Sequence, residues 1–246
     1  MKRPSWQVLL GVALVVLSAT FYLIDYAIFR DARQLFTFLI DDTAFVFIEV
    51  LLVTLIIHSL LNEREKRARL EKLNMVIGAF FSDVGTGLLA YLSDFDPSLD
   101  AIKKELIVTN NWSEHEFSGV NKRLRVYDFS VDVKRVDLRD LQAFLVAKRD
   151  FLLRLVENPT LLEHETFTAL LRGVFHLTEE LANREQVTGL PDTDYQHLAG
   201  DIKRVYGQLV SEWLDYMRYL KNNYPFLFSF AMRTNPFDRS ASAIVR

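Results

Sequence analysis

The sequence predicts an all-α membrane protein, a two-helix transmembrane hairpin followed by a cytoplasmic helical bundle. Three observations predict it. Two stretches near the N-terminus are almost free of charge and long enough to cross a bilayer. Nine Gly and six Pro are few for 246 residues, which disfavours turn-rich β architectures. Downstream, apolar residues recur at spacings of three and four between helix-capping signals.

From Trp6 to Phe29 the only acidic or basic residue is Asp25, and from Thr43 to Leu61 the only ones are Glu49 and His58. As helices these spans measure about 36 Å and about 28 Å, against a hydrocarbon core of about 30 Å. Trp6, Tyr22 and Tyr26 suit interfacial aromatic belts. A cleaved signal peptide, with Lys2-Arg3 as its charged end and Ser18-Ala19-Thr20 as small residues, is the competing reading of the first span. The apolar run continues to Ile24 without a small-x-small site, and a second span follows closely, which favours the hairpin. Lys2, Arg3, Arg64, Lys66, Arg67, Arg69 and Lys72 flank the pair, while only Arg30 and Arg33 lie between the spans. That bias places both termini in the cytoplasm, in a multi-pass protein of the cell inner membrane. The connection, Arg30 to Asp42, is apolar through Leu35, Phe36, Phe38, Leu39 and Ile40. It is too short for an external sensing domain or for a pore helix with a filter.

Beyond Leu61 the second span continues as a helix, uninterrupted by Gly or Pro before Gly78. Leu70, Leu73, Ile77, Phe80 and Val84 form one apolar stripe, as in a short coiled coil. Gly78, Gly85 and Gly87 weaken that helix or permit close approach of another. The chain then divides into the hairpin (1–61), a juxtamembrane helix (62–96), a helical domain (97–238) and a tail (239–246). Asp96 with Pro97 signals a helix start. Ser113-Glu-His-Glu116, Thr160-Leu-Leu-Glu163 and Thr193-Asp-Tyr-Gln196 fit capping boxes. Phe129, Val131 and Val133 alternate like a short extended piece. Further helices are expected over about Leu138 to Leu155, Leu161 to Asn183 and Asp194 to Asn222, a set sized for a bundle of four or more. Phe226 to Thr234 is apolar but too short to span a membrane, so Phe226, Phe228 and Phe230 are candidates for core or subunit packing.

The composition excludes several functions. Lys and Arg total 29 against 32 Asp and Glu, a net charge of −3, with none of the basic excess of a nucleic-acid binder. The absence of cysteine removes disulfides, thiolate-bound metals and thiol nucleophiles. Neither a P-loop nor a GxSxG or HExxH motif occurs, and Gly85-Thr-Gly87 lacks the third glycine of a dinucleotide fingerprint. No enzyme role, catalytic residue, cofactor or metal is therefore expected. The histidine–carboxylate groups do not make a metal site in this reading. His176 with Glu179 reverses the Glu-x-x-His order of carboxylate-bridged sites. Glu163-His164-Glu165 is a local cluster, Glu114-His115-Glu116 is explained by the helix dipole, and His197 with Asp201 reads as a surface pair.

Within the second span, Glu49 is a carboxylate that should face a partner or water, and Asp42 lies on the same helix face. Repeated around an oligomer axis, the two would form acidic rings along a cation path. Two short-looped spans feeding a long helix, from Trp6 to Tyr91, resemble oligomeric calcium-uniporter-type channels. The Trp-Asp-x-x-Glu-Pro filter of those channels is absent. The preferred reading is a membrane-anchored, self-associating scaffold or regulatory protein, with a homo-oligomeric cation channel as the alternative. Its expected partners are the lipid bilayer, further copies of itself, and another membrane or cytoplasmic protein, but no nucleic acid.

Overall fold

The computed structural model describes residues 6–159, 161 and 164–245, and among them it is all-helical with no strand. Lys2, Arg3 and the Thr160–Glu163 capping signal lie outside the described residues, Leu161 excepted. Two compact units divide between Arg67 and Ala68, and each is described by itself.

The first unit holds α1 (Trp6–Phe29) and the N-terminal part of α2 (Ala32–Phe80). Residues 32–77 contain neither Gly nor Pro, so nothing in the chain interrupts α2. The expected Arg30–Asp42 connection therefore shrinks to Arg30 and Asp31, and the stretch read as loop is helix. Two local features build this turn. Arg30 takes a left-handed φ of 50°, the helix-ending conformation that glycine adopts more cheaply. The Asp31 carboxylate accepts a bond from the Arg33 amide at 3.0 Å, starting α2. Thr20, Thr37 and Thr43 each donate to a carbonyl four residues back, which leaves their hydroxyls satisfied inside the helices.

The second unit is built around α8 (Asp192–Asn223), packed by α3 (Thr86–Ser93), α4 (Glu114–Leu124), α7 (Glu165–Ala182) and α9 (Pro225–Arg233). The α2 helix ends in one π-helical turn, Phe81–Gly85, that the periodicity does not reveal. Phe80 and Phe81 are both buried at this turn. Phe80 meets Phe167 edge-on at 5.3 Å, and Phe81 stacks on Tyr216 at 5.2 Å. Gly85 is required here, because a Cβ would lie 2.6 Å from the Phe81 ring and 2.8 Å from that of Phe80.

Other elements differ from the sequence reading for local reasons. The helix expected over Leu138–Leu155 breaks at Lys148, giving α5 (Leu138–Ala147) and α6 (Arg149–Val156). Asp96 does cap a chain segment, its carboxylate accepting from the Ser98 amide at 2.9 Å. Only two 3-10 turns follow, Leu99–Ala101 and Lys103–Leu106. Phe129 and Val133 are buried, as their alternation implies, yet they find no partner strand and remain an extended loop. The Ser113 capping box forms in full and starts α4. The Thr193 box does not form, since α8 begins two residues earlier, at Asp192 behind Pro191. Past α9, Phe237 and Asn235 are buried, Asn235 donating to the Leu106 carbonyl at 2.9 Å.

Candidate membrane and partner surfaces

Helix α1 and the apolar part of α2 are each long and apolar enough to cross a membrane, and neither apolar window buries any residue within the chain. Phe21, Phe47 and Ile56 are all more than half exposed. A folded soluble domain rarely exposes contiguous apolar patches beyond a few hundred Å². Of the two candidate ion-path residues, Asp42 accepts a hydrogen bond from the Tyr22 hydroxyl at 3.3 Å and so helps close the hairpin. Glu49 is exposed, and no described residue bonds it. The two carboxylates share a helix face without meeting any common group.

In the second unit the coiled-coil-like stripe is core. Leu73, Ile77, Phe80 and Val84 are at most 4 % exposed, covered by the chain's own helices, and only Leu70 stays open. The expectation of an interaction surface there is corrected. Spacing of three and four marks a buried face, but it does not say which chain buries it. The C-terminal aromatics divide likewise, with Phe228 buried and Phe226 and Phe230 exposed. Phe230 lines an apolar groove of about 540 Å³ with Met75, Gly78, Tyr216, Tyr219 and Leu227. At Gly78 the Tyr216 hydroxyl comes close, 2.9 Å from where a Cβ would sit. The Tyr224 hydroxyl, donating to Glu71 at 3.1 Å, ties one end of α9 to α2.

Behind the groove, Glu212 on α8 is almost fully buried. Burial raises its carboxyl above the usual range, opposed by a hydrogen bond from Thr166 and the nearby His164. A carboxyl raised in the folded state binds more protons there than when unfolded, so it costs stability as pH rises through the folded value. Glu212→Gln is expected to raise Tm near pH 7.5 and to lose that advantage towards pH 4. Thermal unfolding of both proteins across that range checks it, and a gap that does not close on acidification counts against this origin.

The histidines are used differently from one another. His164 caps α7, its Nδ1 accepting from the Phe167 amide at 3.2 Å. Glu114 accepts from Asn222 at 2.8 Å and Glu116 is held by the Ser113 box, so His115 gathers no ligand set. Glu179 does not join His176, because Arg149 grips it at 2.6 Å. His176 instead lies beside Glu180 and, across the helix pair, His197 and Asp201. The sequence reading overlooked Glu180, although its i, i+4 spacing from His176 was there to be seen.

Comparison with known families matches residues 69–233 to the domain described as "Uncharacterized protein MJ1433, C-terminal helical domain" and residues 1–61 to "MJ1433, N-terminal helical domain". The chain belongs to the MJ1433 family. Uncharacterized protein MJ1433 of Methanocaldococcus jannaschii is 42% identical over 244 residues, which is 99% of this chain and 98% of that one. No solved structure matches. The two MJ1433 domains leave a gap between residues 61 and 69, and the two compact units divide within it. The C-terminal MJ1433 domain contains the whole α2–α8–α9 groove wall named above and the His176–Asp201 cluster.

Proposed function

We propose that this protein is a membrane-anchored, non-enzymatic scaffold that self-associates through its hairpin and presents the helical unit to the cytoplasm. The observation that carries this reading is the uncovered apolar surface of α1 and α2 from Trp6 to Leu61, which only lipid or further hydrophobic helices can cover. Self-satisfied threonine hydroxyls in both helices suit an apolar surrounding. The charge bias about the spans supports cytoplasmic termini.

Glu49 supports self-association. An unpartnered carboxylate in a span costs a few kcal/mol unless another helix offers it a hydrogen bond. Packing of two or more hairpins supplies that partner. Glu49→Leu is expected to loosen the oligomer in detergent or lipid by about 3- to 30-fold, the equivalent of about 0.6–2 kcal/mol. Glu49→Gln, which still hydrogen-bonds, should keep most of the association. Sedimentation or single-molecule photobleaching in bilayers reads the change. A strictly monomeric wild type, or a Glu49→Leu variant that associates as well as wild type, argues against the reading.

A further inference from the structure

We infer that His176, Glu180, His197 and Asp201 form a binding site for one divalent ion of the zinc class, clamping α7 to α8. His176 and Glu180 are one turn apart on α7, and His197 and Asp201 one turn apart on α8, so each helix offers an i, i+4 pair on a single face. The two pairs face each other. His176 Nε2 lies 3.4 Å from Asp201 Oδ2 and 3.9 Å from Glu180 Oε1. His197 Nε2 lies 3.5 Å from Asp201 Oδ2 and 3.5 Å from Glu180 Oε2. A tetrahedral ion with bonds of about 2.0–2.2 Å sets its ligand atoms about 3.3–3.6 Å apart. The two distances to Asp201 Oδ2 and the one from His197 to Glu180 fall in that range, and His176, Glu180 and His197 each offer a ligand atom within 4.8 Å of the others. Glu180 meets His176 through Oε1 and His197 through Oε2, so its carboxylate turns to bring one oxygen to the ion.

A second, independent feature points to a ligand. Asp201 is 4 % exposed, and its buried Oδ2 makes no hydrogen bond although two imidazole nitrogens lie beside it. An unpaired buried carboxylate oxygen is costly, and this one is the atom both histidines approach. Arginines hold the carboxylates in place. Arg204 binds Asp201 Oδ1 at 3.2 Å, and Arg184 binds Glu180 Oε2 at 2.7 Å and Asp194 Oδ1 at 2.7 Å. Such outer contacts orient metal-ligating carboxylates. Two guanidiniums against three carboxylates leave the cluster one negative charge when the imidazoles are neutral, which still favours a dication. Both histidines are about half exposed and give the ion its entry. Two imidazoles with two carboxylates suit a borderline ion such as Zn²⁺ over Ca²⁺ or Mg²⁺, which prefer all-oxygen shells.

The test uses the full-length protein in detergent, stripped with chelator and titrated with ZnCl₂ alone. Wild type is expected to bind one Zn²⁺ per chain saturably and to unfold at a higher temperature when loaded. A His176→Ala/His197→Ala double variant should lose both effects, while His115→Ala should keep them. Co²⁺ in place of Zn²⁺ should give the intense visible bands of a tetrahedral complex. Should circular dichroism find the double variant unfolded, His197→Gln alone is expected to weaken Zn²⁺ binding by at least about tenfold. No saturable binding by wild type, unchanged binding in the histidine variants, or an octahedral Co²⁺ spectrum would overturn the site and leave ordinary His–carboxylate ion pairs.

Discussion

Phe80→Ala is expected to destabilise the helical unit by about 3–5 kcal/mol, the range for emptying a buried phenylalanine site. Phe80 is fully buried and sits between Phe81 at 5.4 Å and Phe167 at 5.3 Å, joining the end of α2 to α7. The π-helical turn restricts relaxation around the cavity, because Gly85 already lies against both the Phe80 and Phe81 rings. At about 2–4 °C per kcal/mol for a domain of about 150–250 residues, Tm should fall by about 6–20 °C. The emission of Trp213, buried against Phe237 at 5.2 Å, follows the transition. Phe226→Ala is the matched control. Phe226 is 70% exposed, and its loss should change stability by no more than about 0.5 kcal/mol. Equal effects from the two substitutions would show that the aromatic cluster does not organise the fold.

Local signals were legible in the sequence, and those that depend on neighbours in space were not. The bounds of α1 and the box at Ser113 follow from composition and from residues four apart or closer. The reading of Arg30 to Asp42 as a connection rests on its position between the spans, whereas the absence of Gly and Pro over 32–77 is the better guide. The stripe from Leu73 to Val84 announced a buried face. That α7 and α8 of the same chain cover it, through contacts such as Phe80 to Phe167, depends on tertiary packing. The π-helical turn has no signature in the spacing of the apolar residues, which runs on through Phe80 and Val84. The histidine–carboxylate cluster was half visible. His197 and Asp201 stand out as an i, i+4 pair, but the register of α7 against α8 decides that His176 and Glu180 face them. Arg149 decides that Glu179 does not.

The hairpin's topology is predicted with an all-or-none outcome. In the proposed arrangement the positive-inside bias sets the basic flanks on the cytoplasmic side. The chain has no cysteine, so a single introduced thiol reports its own side of the bilayer without background. Ala32 opens α2 in the turn between the spans, and Ala243 lies in the exposed C-terminal segment. In intact cells a membrane-impermeant maleimide should label Ala32→Cys fully. It should reach Ala243→Cys only after the membrane is permeabilised, with both variants sedimenting with membranes. Labelling of Ala243→Cys in intact cells, or recovery of either variant in solution without detergent, would contradict the anchored, cytoplasm-facing arrangement.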